Sequence, residues 1–221
     1  MITVTETDTH IFVELRDGKV LSGEHTIDTN DSVARVGVRR IFFKPWPKAN
    51  PLAIRRILEA DLIVIGPGSH YTSIAPNLLV PGIAAAIRDT KAKVVYNCNL
   101  VNKIGQTDGF MLEDYVEAIH RLLGGARIDC VTFNTRRPPA TLLARYASEG
   151  TLVEERRSVN RKRSYRFLYG DFLRTRPVKR LRSDVIAATR SFIRHDGEKL
   201  ARVLVMLPEL AQYERILRNA R

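Results

Sequence analysis

Residues 60–73 read ADLIVIGPGSHYTS, and this stretch decides the fold. Its apolar run from Leu62 to Ile65 is continuous, which is typical of a strand that is covered on both faces. A glycine-rich loop follows, and the apolar spacing of residues 78–88 then predicts a helix. Residues 60–88 therefore predict one strand, loop and helix unit of an α/β protein.

The same order of elements recurs further along the chain. Residues 93–97 (KVVYN) and 129–133 (DCVTF) repeat the strand pattern, and residues 112–123 between them have apolar positions at helical spacing. This recurrence predicts a Rossmann-like, doubly wound and mostly parallel sheet.

The N-terminal residues have the period-2 pattern of antiparallel strands instead. Alternating apolar positions in residues 10–15 and 20–21 flank the dipeptide Asp17-Gly18, which suits a tight turn. A β-hairpin is therefore predicted at the N-terminus, with a further strand at residues 39–44.

Shorter or weaker signals predict the remaining elements. Asn50 can cap a helix that begins at Pro51, because proline fits the first helical position. Beyond residue 136 the periodicity weakens, and the predicted elements are helices at 141–147, 184–193 and 196–206 and a strand at 165–169. No internal repeat or low-complexity linker is present, so residues 1–221 are predicted to form a single α/β domain.

The charge of the chain is concentrated in its last third. The whole sequence has 36 Lys+Arg and 24 Asp+Glu, a net charge of +12, but residues 1–135 hold 15 basic and 15 acidic side chains. The basic region 136–221 therefore carries the whole excess, most of it in residues 156–182. A solvated surface is favoured for this segment over an acidic protein partner or phosphorylated ligand, and nucleic acid binding is expected to be unlikely.

Several classes of protein are disfavoured. With 44% hydrophobic and 27% charged residues the chain has the composition of a soluble globular protein. The longest apolar stretch, residues 78–87, is interrupted by Pro81-Gly82, so no membrane span is predicted. The N-terminus has no apolar signal segment, which favours a cytoplasmic location. Cys98 and Cys130 are expected to be buried free thiols, and no histidine or cysteine spacing suggests a metal site.

Ligands of open α/β sheets bind outside the carboxyl ends of the strands, so the loop at residues 66–73 is the first candidate site. Gly66 and Gly68 allow close approach of the backbone, and hydroxyl groups follow at Ser69, Thr72 and Ser73. This composition favours a phosphate-binding loop. The alternative is a tight turn from strand to helix in which the hydroxyl groups cap the helix.

The loop at residues 99–109 is the second candidate. It follows the neighbouring predicted strand and contains amides, Lys103 and the Thr107 hydroxyl, so it could fold over a ligand that the first loop holds. Polar loops of this length are also common where no ligand binds.

Several short motifs resemble the family that unites the gluconeogenesis factor YvcK with the phospholactate transferase CofD. They are ANP at 49–51, ADLIVIGPGS at 60–69, YTS at 71–73, PNLLV at 76–80, GQTDG at 105–109, RHD at 194–196 and KLA at 199–201. The resemblance covers about residues 23 to 207 and is greater to the YvcK branch. It implies a cytoplasmic protein that binds a nucleotide sugar and affects carbon metabolism, cell-wall synthesis or cell shape, with no established reaction.

The sequence also departs from the pattern of that family. The family's GGTG-type loop and DDGGS-type segment are absent, so the chain is expected to correspond to the C-terminal part of the family domain. A split-gene half, a truncated sequence and a shortened paralogue all remain open. The expected partners are a second copy of the chain or a second chain that supplies the glycine-rich loop. Gln106 replaces a carboxylate, and His70 replaces a leucine and is expected to pack or hydrogen-bond rather than catalyse.

The resemblance and the two loops together predict the ligand-binding residues, with no catalytic residue, metal or cofactor beyond a nucleotide or UDP-sugar ligand. The predicted set is Gly66, Gly68, Ser69, Tyr71, Thr72, Ser73, Asn77, Asn99 and Thr107. One alternative to a regulatory binding protein is a phospholactate-type transferase that acts on a deazaflavin precursor. Such chemistry usually recruits a divalent metal with carboxylates, and Asp108 is the only carboxylate in either loop. The other is a basic adaptor or nucleic-acid binder with a decayed ligand site.

Overall fold

A computed structural model of the protein describes residues 1–156, 163–175 and 193–219. The N-terminal part forms an antiparallel sheet in the order β2-β1-β3. Its elements are β1 (His10–Leu15), β2 (Val20–Ser22), α1 (Glu24–Asp28), α2 (Ser32–Val36) and β3 (Val38–Lys44). The predicted hairpin is confirmed, with Val13 opposite Leu21 and Gly18 in the turn at a φ of 87°.

The second sheet has four parallel strands in the order β4-β5-β6-β7. The strands are β4 (Leu62–Ile65), β5 (Lys93–Asn97), β6 (Cys130–Asn134) and β7 (Arg166–Gly170). They follow one another in chain order, and helical segments connect them. The predicted fold class, an α/β protein with a mostly parallel sheet and an N-terminal β-hairpin, is confirmed.

The helices include one whose N-cap the sequence predicted. They are α3 (Pro51–Leu58), a π-helix (His70–Ile74), α4 (Ala75–Leu79), α5 (Ile83–Asp89), α6 (Leu112–Leu123), α7 (Ala140–Tyr146) and α8 (Gly197–Asn219). The Asn50 side chain accepts a hydrogen bond from the backbone N–H of Leu52, which confirms the predicted cap of α3.

Two predicted helices differ from the structure. The single helix predicted at 78–88 is divided, because Pro81 follows the end of α4 and Gly82 adopts a φ of 87° before α5 begins. The last helix extends to Asn219 rather than ending at Met206, and it contains Pro208. The helix predicted at 184–193, apart from its last residue, and residues 157–162 and 176–182 of the basic segment lie outside the described residues.

The main core lies between the parallel sheet and its helices. β5 is the most deeply buried strand, with Val94, Val95 and Tyr96 fully inaccessible to solvent. Helix α6 adds a buried apolar stripe that includes Tyr115 and Ile119. Packing thus fixes the strands of the parallel sheet. Because the loops begin where these strands end, the start of each loop is also fixed.

Cys98 is buried and Cys130 is half-buried, and the two form no disulfide. Burial raises the pKa of the Cys98 thiol to about 12, so this thiol is protonated at neutral pH. Among the helices that the structure describes, none has the length and apolar character needed to cross a membrane.

Candidate functional site

A cavity of about 790 Å³ lies at the carboxyl ends of β4 and β5. Its wall combines the two loops singled out in the sequence with residues 28–31, which begin at the last residue of α1, and residues 193–195 before α8. Of the predicted ligand-binding residues, Gly68, Ser69, Asn99 and Thr107 line this cavity. The edge of the sheet at which a ligand site was expected is therefore concave.

The Asn99 side chain holds the two loops together. Its Nδ2 donates to the carbonyl oxygen of Gly68 at 3.0 Å, and its Oδ1 accepts from the N–H of Gly68 at 3.1 Å. A Cβ atom at Gly68 would lie 3.2 Å from the Cβ of Ser73, which is tighter than ordinary packing. Glycine at position 68 therefore allows the first loop to fold compactly beside the second.

The Asp28 carboxylate is the centre of a hydrogen-bond network that the sequence did not reveal. Its Oδ1 accepts from the hydroxyl of Ser69 at 2.9 Å, the hydroxyl of Thr72 at 2.8 Å and the Nε2 of Gln106 at 2.8 Å. Its Oδ2 lies 2.8 Å from the Nζ of Lys103. The sequence predicted only a polar loop here, because none of these partners is near Asp28 in the chain.

Burial alone would raise the pKa of the Asp28 carboxyl, since desolvation disfavours the charged form. Hydrogen bonds from Lys103, Gln106 and Thr72 outweigh burial, and the pKa is lowered below its usual value. Asp28 is therefore an anion at neutral pH.

The network explains why an amide suits position 106. Gln106 is buried, its Nε2 donates to Asp28, and its Oε1 lies 3.1 Å from the hydroxyl oxygen of Ser69. A carboxylate in the same place would face the Asp28 carboxylate, and two like charges at this distance repel. The neutral amide supplies both a donor and an acceptor without that repulsion.

Thr107 also lines the cavity, but its side chain is engaged in the second loop. Its hydroxyl accepts from the N–H of Lys103 at 3.0 Å and lies 2.9 Å from the hydroxyl of Tyr115, which is 2.8 Å from Oδ1 of Asn102. Thr107 is only 2% exposed. Its hydrogen bonds hold the second loop against α6.

The other predicted ligand-binding residues lie away from the cavity wall. Tyr71 packs against the core of the antiparallel sheet, and the Thr72 hydroxyl donates to Asp28. The Asn77 side chain donates to the carbonyl oxygen of Ser73 at 2.7 Å, which is a local contact. Gly66 and Ser73 are exposed at the two ends of the first loop. Ligand binding by these five residues stays a prediction.

His70 is buried against aromatic rings. Its ring centroid lies 4.9 Å from that of Tyr71, 6.1 Å from that of Phe110 and 6.2 Å from that of Tyr115. Its Nδ1 is buried without a hydrogen-bond partner among the described residues. Burial, with a smaller effect from the charge of Arg121, lowers the pKa of His70 to about 4. The histidine therefore packs as a neutral ring at pH 7.

The cavity wall also contains Arg194 and His195, two residues outside the predicted set. Residue 195 forms a β-bridge with Leu173, and burial lowers the pKa of His195 to about 4 although a hydrogen bond with the backbone of Cys98 opposes this shift. The RHD motif at 194–196 was the available signal for them. No group of three or more His, Cys, Asp or Glu side chains suited to a metal occurs in the part of the chain that the structure describes.

The described arginines of the segment 156–182 include two that meet acidic side chains of the same chain. Arg163 lies 2.7 Å from a carboxylate oxygen of Glu113 and 2.9 Å from one of Glu155. Arg156 pairs with Asp114, which lies next to Glu113 on α6. Part of the positive charge is therefore neutralised internally.

Residues 1–173 match the family model described as 2-phospho-L-lactate transferase CofD. The chain belongs to the CofD family. Its relatives in this family include the gluconeogenesis factors of Listeria innocua, 34% identical over 210 residues, and Bacillus subtilis, 34% identical over 204 residues. These alignments cover 94% and 89% of this chain but only 59% and 57% of the relatives.

The fold of this CofD-family chain also matches a solved structure. A UPF0052-family protein from Bacillus halodurans superimposes with a TM-score of 0.71 at 29% sequence identity, over 91% of this chain and 60% of that protein. The resemblance inferred from the sequence motifs is confirmed. The chain spans little more than half the length of these relatives.

Replacing Asn99 with alanine should loosen the contact between the two loops. Both hydrogen bonds to Gly68 are lost, so we expect the free energy of unfolding to fall by about 1–3 kcal/mol. We also expect faster hydrogen exchange of the Gly68 amide. The matched control is Asn77→Ala, which removes an exposed local contact and should cost less than about 0.5 kcal/mol. Equal losses in the two variants would contradict the role assigned to Asn99.

Stability should fall as the pH is lowered from 7 towards 4.5. The unfolded chain binds a proton at His70 below its usual pKa of 6.5, whereas the folded protein does so only near pH 4. A single histidine with this shift contributes about 2.4 kcal/mol over that range. Replacing His70 with leucine should reduce the pH dependence measured by denaturant unfolding, leaving the part due to His195. An unchanged slope would show that His70 is accessible to protons in the folded protein.

Proposed function

We propose that this CofD-family protein binds a nucleotide or nucleotide sugar in the cavity at the carboxyl ends of β4 and β5. Its role is that of a regulatory binding protein of the gluconeogenesis-factor type, which affects carbon metabolism, cell-wall synthesis or cell shape. The cavity itself carries the proposal. It lies where open α/β sheets bind ligands and is formed by the two loops that the sequence singled out.

The size and polarity of the cavity support a ligand of this class. A volume of about 790 Å³ falls in the range of roughly 300–1,000 Å³ that is usual for small-molecule sites. Lys103 and Arg194 provide cationic side chains for phosphates, and Ser69 provides a hydroxyl donor. Leu100 and Ile104 add apolar surface against which a base or sugar ring can pack.

A transferase of the phospholactate type is the second candidate. The family model is that of 2-phospho-L-lactate transferase CofD, and the cavity contains carboxylates that the two loops alone did not offer. They are Asp28, Asp31 and Glu149. Asp28 already accepts four partners, however, which makes it poorly suited to accept a proton from a substrate. The binding role is therefore preferred.

A basic adaptor or nucleic-acid binder is supported less well. Arg156 and Arg163 lie in the described part of the basic segment. They pair with acidic side chains of α6, and Arg163 also pairs with Glu155. Each such pair removes positive charge that a phosphate backbone would need.

The protein is further proposed to associate through the free edge of β4, with a second copy or with another chain that carries a glycine-rich loop. Among the described residues β4 pairs only with β5, and Val64 in this apolar strand is 42% exposed. An unpaired apolar strand edge promotes pairing with another chain.

Binding of UDP-glucose should stabilise the protein against thermal unfolding. A ligand at one hundred times its Kd adds about 2.7 kcal/mol of stability. Replacing Lys103 with glutamine should reduce the stabilisation by UDP-glucose, because a phosphate partner is lost. Lys91→Gln removes an exposed lysine outside the cavity and should leave the stabilisation unchanged. The absence of any shift with UDP-glucose, GDP and NAD, together with a salt-sensitive shift with short RNA, would favour the adaptor instead.

Gel filtration tests the proposed association. We expect a species larger than the 25.1-kDa monomer, with the larger form favoured at high protein concentration. Val64→Lys places a charge on the β4 edge and should favour the monomer, because charged side chains block edge pairing. Val205→Lys changes an exposed valine on α8 and serves as the control. A monomer at every concentration would contradict the proposal.

A further inference from the structure

The donors that would suit a ligand phosphate already bind an anion of the protein itself. The hydroxyls of Ser69 and Thr72 and the side-chain amide of Gln106 converge on Oδ1 of Asp28 at 2.8–2.9 Å. The ammonium group of Lys103 meets the other carboxylate oxygen at 2.8 Å. Hydroxyl, amide and ammonium donors are the groups that proteins offer to phosphate oxygens.

These donors come from both candidate loops. Ser69 and Thr72 belong to the first loop, Thr72 within its π-helix, whereas Lys103 and Gln106 belong to the second loop. Asp28 belongs to neither loop, because it is the last residue of α1. One carboxylate from a third segment thus occupies the point at which the donors of the two loops meet.

The charge of the cavity wall makes this occupancy important for binding. Among the residues that the structure describes, the wall contains the carboxylates of Asp28, Asp31 and Glu149 and two cationic side chains, Lys103 and Arg194. With its two histidines neutral at pH 7, the wall has a negative excess. A phosphate that entered beside the Asp28 carboxylate would meet a like charge and donors that are already engaged.

From this geometry we infer that the Asp28 carboxylate occupies the anion position of the site in the ligand-free protein, and that a phosphate group of the ligand displaces it. The inference rests on the proposed function, because it concerns the phosphate of the ligand bound in the same cavity. Asp28 is thus an internal competitor that sets the affinity and selects ligands whose phosphate binds strongly enough to replace it.

The local structure allows such a displacement. Asp28 ends a helix of five residues, and the next residue, Thr29, is exposed. The Asp28 side chain is itself 23% exposed. Its carboxylate can therefore turn towards solvent without breaking a strand or opening the apolar core.

Inorganic pyrophosphate is a suitable probe, because it contains the phosphates without the base and sugar. We expect Asp28→Asn to bind pyrophosphate on the order of tenfold more tightly than the wild type in isothermal titration calorimetry, since the competing charge is removed. Asp31→Asn is the matched control. It removes the same charge from the same cavity wall, but Asp31 holds none of the four donors, so its affinity should change by less than about threefold.

Three results would overturn the inference. Weaker binding by Asp28→Asn would show that the carboxylate contacts the ligand directly. An equal gain in pyrophosphate affinity for Asp28→Asn and Asp31→Asn would show that only the overall charge of the cavity matters. Failure of both the wild type and Asp28→Asn to bind pyrophosphate would show that the donors do not form an anion site.

A measurement on the wild type covers the case in which Asp28→Asn does not fold. The side-chain amide of Gln106 donates to Asp28, so its NMR signal should shift when pyrophosphate saturates the protein. An unchanged signal at saturation would also overturn the inference. The proposed function is tested separately with UDP-glucose. If Asp28→Asn binds pyrophosphate tightly but neither protein binds UDP-glucose, the nucleotide-sugar proposal fails while the displacement of Asp28 is retained.

Discussion

A partly buried network around one carboxylate joins three segments that are distant in the chain. Asp28 ends α1, Ser69 and Thr72 follow β4, and Gln106 and Lys103 lie in the loop after β5. A carboxylate that leaves water must be compensated by hydrogen bonds or opposite charge, because desolvation of an anion is costly. The need to compensate Asp28 therefore fixes the antiparallel part of the protein against the carboxyl edge of the parallel sheet.

The parallel sheet provides the rigid base for that network. β5 is buried on both faces, and Asn99 follows it by two residues, so the position of the Asn99 side chain is set by the core. From there it holds the backbone of Gly68 through two hydrogen bonds. Loops supported in this way keep their geometry without a ligand, which lowers the entropic cost of binding one.

The sequence predicted the features that depend on local chemistry. Apolar runs located β4 and β5, the Asn50-Pro51 pair located the start of α3, and the strand ends located the cavity. The network of Asp28 was not predictable in this way, because its partners are 41 to 78 residues away and polar loops carry no periodicity. The break between α4 and α5 was visible in Pro81-Gly82 but was outweighed by the apolar spacing around it.

The described arginines of the basic segment 156–182 lie outside the cavity wall. In the described part of the basic segment, Arg163 is held between Glu113 and Glu155 and lies 4.6 Å from the centroid of the Phe167 ring. These contacts connect β7 to α6 rather than extending a positive surface to the cavity. Among the described residues, the cavity wall has more carboxylates than cationic side chains, so the long-range attraction that these residues exert on an anion contributes little to binding. Selectivity at this site must then come from short-range hydrogen bonds, and the donors that can make them are the ones that Asp28 now holds.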